Sequence, residues 1–334
     1  MNSSKNPSAN QRGPHPKGSK ALAKEQVLRE ELALIEGQSE GLLKALHILT
    51  REGRLNQDAK RKLKQVNHLV QLMSAPMLKL HEELGGEKAL SVVDHGAGKS
   101  YLGFILYDRF QKESHSAGNL ALEVYGLEMR SELVERSRLT AQEWGFKGMH
   151  FLHIDTQDAK DTALLPAQVD VVTALHACDT ASDDAIEFAL AKRARLVFIV
   201  PCCQAEFASA LRQTKALSLS QSPLAELWRH PLHTRELGSQ LTNVMRCLYL
   251  QSQGYQVSVT ELVGWEHSLK NELIVAKLTS QKSRAAGKRL RQLMGEFGLS
   301  ALGPKRFPAL DWSESSSGAP ESDEMESDHE LHNL

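Results

Sequence analysis

The sequence predicts an α/β fold in which a mainly parallel sheet carries helices on both faces. Three observations predict it. Short apolar runs alternate with amphipathic helical segments from Ser91 onward, and an entirely helical pattern precedes them. Only about eight residues separate the last two apolar runs, too few for a helical crossover, so these two strands are expected to pair as antiparallel neighbours at one edge.

Residues 25–90 are predicted to form a helical N-terminal extension of two or three helices. Apolar residues there recur at spacings of three and four, as on one face of a helix: Leu63, Val66, Val70 and Met73. Lys60, Arg61 and Lys64 fall on one side of the same helix. That side is either a solvated face or a surface that contacts phosphates.

The sheet is predicted to contain seven strands, at residues 91–94, 120–128, 149–155, 169–175, 195–201, 256–263 and 272–278. Helices are predicted at residues 131–144 and 182–193. Acidic residues between Asp179 and Asp184 are expected to cap the second of these helices and to favour its N-terminus.

The first strand runs into a glycine turn, in the stretch VVDHGAGKSYL of residues 92–102. A phosphate-binding P-loop would need a glycine where this chain has Val93, inside the strand, so that interpretation is disfavoured. Gly96 and Gly98 instead allow a sharp turn and a close approach of the backbone to a ligand. Asp94 ends the strand at the same place. The turn therefore predicts a nucleoside site of the Rossmann type.

Two further strand ends carry acidic residues on the same edge. Glu128 follows the glycines by about 30 residues, where a carboxylate can accept both hydroxyls of a ribose. Asp155 and Thr156 end the third strand and suit an adenine amine. Tyr101 stands where a dinucleotide fingerprint would have its third glycine, so adenosine without a pyrophosphate fits better.

Five motifs extend this pattern along the chain: DHGAGKSYLGF, GLE, VDVVTALHACDTASDDAI, VFIVPCCQ and HSLKNELIVAK. The set resembles methyltransferase-domain proteins with DxGxGKG/SYL, LHACD and PCC motifs, over roughly residues 90–278. It is similar, more distantly, to tRNA 2′-O-methyltransferases with a CCHH signature and to a mammalian protein that joins a glutathione S-transferase C-terminal-like domain to such a domain. The resemblance implies a Rossmann-like, seven-stranded class I methyltransferase sheet and S-adenosylmethionine as cofactor. Gln204 departs from the tRNA enzymes, which have His after the paired cysteines.

In this fold the methyl group is presented where the fourth and fifth strands end. His176 is a candidate for taking a proton from the acceptor, or else it forms a wall of the cofactor pocket. Asp179 is a second candidate base, and a helix cap is the alternative. Lys270 lies in the turn between the last two strands, where Lys is usually exposed to solvent; resemblance to the family's TPKN motif suggests a role facing the substrate.

The cysteines leave three alternatives open. A zinc site would need the ligands His176, Cys178, Cys202 and Cys203. Adjacent cysteines point in opposite directions along a strand and no CxxC knuckle is present, so no metal is predicted. A covalent role for Cys202 or Cys203, as in cytosine C5 methylation, is a second possibility, and packing beneath the cofactor is the default.

Charge is distributed unevenly along the chain. The net charge is −1, yet residues from Asp311 onward include eight acidic residues and no Lys or Arg, so residues 1–310 carry +7. Basic residues concentrate in segments 51–64 and 282–306, and a polyanion such as RNA is the partner they indicate. Aromatic content of 5% argues against stacking on single strands and favours recognition of a duplex or stem. The acidic tail either mimics nucleic acid on a basic surface or only aids solubility.

These observations predict a disordered basic tail at 1–24, the helical extension at 25–90, the methyltransferase domain at 91–280, a basic helical segment at 281–310 and a disordered acidic tail at 311–334. The predicted function is S-adenosylmethionine-dependent methylation of tRNA or rRNA. The alternatives are a small-molecule or protein acceptor, or a non-catalytic RNA-associated module. Sparse cysteine and the lack of a long apolar run or an apolar leader predict a cytoplasmic protein without a membrane span.

Overall fold

A computed structural model describes residues 38–55, 57–113, 120–155, 158–175, 180–201, 205–213, 223–262 and 272–313. It contains one seven-stranded sheet in the order β3-β2-β1-β4-β5-β7-β6. The strands are Leu90–His95 (β1), Leu122–Glu128 (β2), Met149–His153 (β3), Val171–Leu175 (β4), Leu196–Val200 (β5), Tyr255–Glu261 (β6) and Glu272–Leu278 (β7).

Strand direction confirms the predicted α/β class. Strands β1 to β5 are parallel neighbours, whereas β7 runs antiparallel to both β5 and β6. The carboxyl ends of five strands therefore share one edge of the sheet, called the carboxyl edge below. The opposite edge, where these strands begin, is called the amino edge.

The α-helices in the described residues are Glu40–Ala45 (α1), Gln57–Glu83 (α2), Tyr101–Glu113 (α3), Ser131–Glu143 (α4), Ala181–Ala191 (α5), Ala205–Gln213 (α6), Pro231–Ser252 (α7), Arg284–Glu296 (α8) and Gly303–Arg306 (α9). Short 3-10 helices lie at Ala159–Asp161, Pro223–Trp228 and Ser300–Leu302.

The core has two layers because successive strand residues face opposite sides of the sheet. Val92 packs in the layer formed with α2, α3 and α4, together with Leu63 and Phe104. Val93 packs in the opposite layer, formed with α5, α6, α7 and α8, together with Phe188. Helix α2 therefore belongs to the same core as the sheet, and α8 lies on the other face.

The start of α5 differs from the capping prediction. Its N-cap residue is Thr180, which makes no side-chain capping hydrogen bond. Asp183 in the first turn is buried and is paired with an arginine of α7. Acidic residues therefore lie at the N-terminus of α5 as predicted, and Asp183 in addition forms a buried ion pair, whereas the capping candidate Asp179 lies outside the described residues.

No helix in the part of the chain that the structure describes is both long and apolar enough to cross a membrane.

Candidate functional site

The glycine turn connects β1 to α3 at the carboxyl edge. Gly96 and Gly98 have φ of 72° and 58°, the left-handed region that glycine adopts without steric cost. The Ala97 N–H donates to the Leu127 carbonyl at 2.8 Å, which fastens the turn to the neighbouring strand. A Cβ added at Gly96 would meet no described atom within 4 Å, so no described residue fills the space beside this position of the turn.

Ser100 closes this turn in an unusual state. It has a positive φ of 51°, and its hydroxyl is buried without a hydrogen-bond partner among the described residues. The space beside Gly96 and the exposed backbone there fit a turn that receives a polar ligand, whereas the Ser100 hydroxyl lies inward against Gly103.

Glu128 links the second strand to the turn. One carboxylate oxygen accepts from the Gly98 N–H at 2.9 Å, and the other accepts from the Arg130 N–H at 3.0 Å and from Arg130 Nε at 2.9 Å. Burial raises the pKa of Glu128, but the hydrogen bonds and charge of Arg130 outweigh it and hold the pKa below its ordinary value. Glu128 is therefore an ionised acceptor beside the turn.

Asp94 lies under the turn, inside the sheet. It is 4% exposed, and its carboxylate accepts from the Thr173 hydroxyl at 3.1 Å, across the parallel pair β1–β4. Burial raises the pKa of Asp94 to about 6, although the Thr173 hydrogen bond counteracts the shift. Asp94 therefore titrates close to neutrality.

The remaining predicted site residues divide between described and undescribed parts of the chain. Asp155 is exposed, two residues beyond the end of β3 on the same edge. The structure therefore brings Asp94, Gly96, Gly98, Glu128 and Asp155 to one edge. The other candidates and the cysteines considered for zinc or covalent catalysis lie outside the described residues: Thr156, His176, Cys178, Asp179, Cys202, Cys203 and Lys270.

A buried charge network adjoins those undescribed segments. Arg246 of α7 is 0% exposed; its Nε donates to Asp183 Oδ1 at 2.6 Å, and its Nη1 donates to Asn243 Oδ1 at 3.2 Å. Asn243 in turn donates to Glu272 Oε2 at 2.6 Å. Asp183 lies in the first turn of α5, which follows segment 176–179, and Glu272 begins β7, which follows segment 263–271.

The helix that follows a third undescribed segment is also held by charged side chains. Glu206, in the first turn of α6 just after segment 202–204, accepts hydrogen bonds from Arg306 Nε and Nη2. Helix α6 also packs closely on α7, because a Cβ at Gly238 would lie 2.7 Å from Ala208 Cβ. Helix α7 and the C-terminal segment therefore hold the elements that follow all three segments.

The two basic segments lie on opposite faces of the sheet. The last turn of α2 is at the amino edge, where Glu83 pairs with Lys277 at 2.9 Å and Lys277 pairs in register with Leu196, the first residue of β5. A 27-residue helix is about 40 Å long, so the basic first turns of α2 lie far from its last turn at the amino edge. Helix α8 instead begins near the amino edge, after β7 ends. The second segment ends at Lys305 and Arg306, which pair with Glu206 at the start of α6 and so lie at the carboxyl edge.

Sequence reasoning missed three contributors. Arg130 lies only two residues after Glu128, and that short spacing was an available signal. Thr173 became identifiable only through its register with Asp94, and Arg246 gave no local signal because its partner is 63 residues away.

Comparison with known proteins identifies the domain. Residues 61–210 match a family model described as a methyltransferase domain, a span that includes the glycine turn, Glu128 and strands β1 to β5. The chain therefore contains a methyltransferase domain. It is an S-adenosylmethionine-dependent methyltransferase, and S-adenosylmethionine is its cofactor. No curated protein matches the chain.

Among solved structures, an O-methyltransferase from Bacillus cereus in complex with SAH has a TM-score of 0.45 and 12% identity, covering 77% of this chain and 97% of that one. Magnesium protoporphyrin IX methyltransferase from Synechocystis PCC 6803 has a TM-score of 0.40 and 15% identity, covering 76% of this chain and 99% of that one. An rRNA methylase from Streptococcus thermophilus has a TM-score of 0.32 and 9% identity, covering 57% of this chain and 87% of that one. Likenesses this distant do not specify the acceptor of this chain.

Proposed function

We propose that this methyltransferase acts on RNA, a tRNA or an rRNA, bound beside the glycine turn. The observation that carries the proposal is the charge of segment 51–64, which holds six basic and two acidic residues and leads into the first turns of α2, at the end of that helix opposite the amino edge. Lys99 and Arg136 border a small cleft together with Ala45 and Leu46, and so extend the basic surface to the turn itself. A phosphate backbone is the ligand that such a surface favours.

We further propose that Asp94, Gly96, Gly98, Glu128, Asp155, Thr156 and His176 hold the cofactor. Glu128 suits the ribose hydroxyls because it is an ionised acceptor beside a turn in which no described residue fills the space at Gly96. When bound, S-adenosylmethionine supplies an electrophilic methyl group on a sulfonium centre. The catalytic candidates remain His176, Asp179 and Lys270. His176 or Asp179 would accept the proton that the acceptor loses, and Lys270 would contact the substrate. A cytoplasmic location stays a prediction from the cysteine content.

The test is methyl transfer by the full chain from radiolabelled S-adenosylmethionine to total RNA of a strain lacking the gene, followed by nucleoside analysis. We expect label in one modified nucleoside, and no label with Glu128→Gln because cofactor binding is lost. The matched control is Glu123→Gln, the same change at a half-buried acid of the same strand. Label found in protein or in small metabolites would replace RNA with those acceptors.

The basic surface is tested separately. Lys60→Gln, Arg61→Gln and Lys64→Gln, combined, should preserve cofactor affinity in calorimetry but weaken RNA binding. The slope of log K against log salt should fall by about two to three, as three phosphate contacts are lost. Arg284→Gln, Lys288→Gln and Arg289→Gln, combined, remove equal charge from α8 and should change this slope less. An equal change of this slope in both variants would contradict docking of RNA at α2. If the unaltered chain had no affinity for the cofactor, the protein would be a non-catalytic module.

A further inference from the structure

The basic face of α8 is not used by the proposed function. Arg284, Lys288 and Arg289 are exposed, while Ala286 and Leu290 on the other side are buried. Arg284 and Lys288 are one helical turn apart, so their side chains stack along the axis. Glu296, at the last position, is the only acidic residue in the helix sequence. Helix α8 therefore presents a concentrated positive face near the amino edge, remote from the glycine turn.

The chain leaves the described structure beside this face. Arg291 Nη1 donates to the Asp311 carbonyl at 2.8 Å, and Trp312 Nε1 donates to the Phe307 carbonyl at 3.0 Å. The Trp312 ring also packs on Gly303, where it leaves no room for a side chain. These contacts fix the exit point, Ser313, against the C-terminal half of α8.

The segment that continues from this point is strongly acidic. Residues 314–334 contain seven Asp and Glu and no Lys or Arg. Arg291 and Arg284 are about 10 Å apart along the helix, at 1.5 Å per residue. An extended chain covers about 3.3 Å per residue, so a few residues after Ser313 span the face and the acids beyond Glu321 reach all of it. The tether also gives the segment a high effective concentration at its neighbour.

We propose that residues 314–330 dock on the α8 face formed by Arg284, Lys288 and Arg289 of the same chain. The acidic tail is thus an intramolecular polyanion that covers one of the two basic surfaces. The other, on α2, remains accessible beside the glycine turn. Docking of the tail on α8 therefore directs an external polyanion to the α2 surface at the carboxyl edge. The docking itself does not depend on methyl transfer.

The experiment uses the full chain and a carbodiimide, which joins a carboxylate to a lysine amine in direct contact. Mass spectrometry should find residues 314–330 joined to Lys288 several-fold more often than to Lys62, which is equally exposed but lies on α2. The preference should disappear at 1 M salt, where the Debye length falls to about 3 Å. A mixture of isotope-labelled and unlabelled protein should give joined peptides from one copy only.

Variants separate docking from general reactivity. Arg284→Gln with Arg289→Gln keeps Lys288 as the reporter and should lower its yield several-fold, because two of the three charges are gone. Lys60→Gln with Arg61→Gln is the matched control and should leave the yield unchanged. The proposal is overturned if Lys288 reacts no more than Lys62, if the first variant has no effect, or if the products join two copies.

Discussion

The two halves of the carboxyl edge are built differently. At the ends of β1 and β2, the buried carboxylates are covered by groups at the surface: Gly96 adjoins no described atom on its Cβ side, and Arg130 covers Glu128 with a side chain that is 60% exposed. At the start of α5 the polar groups are buried behind the edge, with Arg246 at 0% exposure, and Glu272 at the start of β7 is half-buried. The first half can exchange its hydrogen bonds for those of a ligand, whereas the second half fixes the chain. Substitutions should therefore change ligand affinity in the first half and stability in the second.

The largest expected effect comes from Arg246→Met, which disrupts the buried charge network in the second half of the edge. The change leaves the Asp183 carboxylate buried without its guanidinium, and we expect the free energy of unfolding to fall by about 3–5 kcal/mol. Urea titration of the unaltered chain and the variant measures it.

A double variant distinguishes an unpaired charge from lost packing. Arg246→Met with Asp183→Leu removes both charges, and replacing a buried pair by apolar residues is often close to neutral. The double variant should recover most of the loss. If it is as unstable as the single variant, the network stabilises through something other than charge pairing.

The next effect concerns pH and Asp94, which lies in the first half of the edge, at the end of β1, but is buried like Asp183 in the second half. Its pKa is raised from 3.8 to about 6 by burial, so the folded state holds this proton more tightly than the unfolded state does. Stability from this group therefore falls as pH rises from about 4 to about 6, by on the order of 3 kcal/mol.

Asp94→Asn tests this sign. Urea titrations at pH 4 and at pH 7 measure the free energy of unfolding of both proteins. Relative to the unaltered chain, the variant should be more stable at pH 7 than at pH 4, because it has no carboxylate to ionise. Asp155→Asn controls for the loss of a carboxylate at the same edge. A constant difference between Asp94→Asn and the unaltered chain over this range would mean that burial does not disfavour the carboxylate.

The same contrast explains what could be predicted from the sequence. Strand β7 was predicted with its observed bounds, and the glycine turn was found, because alternation and glycine pattern are local properties. Acidic residues at the start of α5 were predicted and lie in its first turn, but the ion pair of Asp183 could not be predicted, since its partner Arg246 is 63 residues away and only the packing of α7 brings the two together. The packing of the two basic segments on opposite faces of the sheet likewise has no signal in their local sequence.

The smallest expected effect comes from Arg130→Gln. This variant tests whether the first half of the carboxyl edge can exchange its hydrogen bonds for those of a ligand. Arg130 Nε and Nη2 donate to the two oxygens of Glu128 at 2.9 and 3.3 Å, so ribose hydroxyls would have to displace them. An exposed ion pair contributes about 0–1 kcal/mol, which limits the gain on removing it to about fivefold. We therefore expect S-adenosylmethionine to bind up to about fivefold more tightly in calorimetry. Arg136→Gln, which removes an arginine of α4 that contacts His47 instead, should leave the affinity unchanged. Weaker binding in Arg130→Gln would mean that Arg130 holds Glu128 in place for the ribose rather than competing with it.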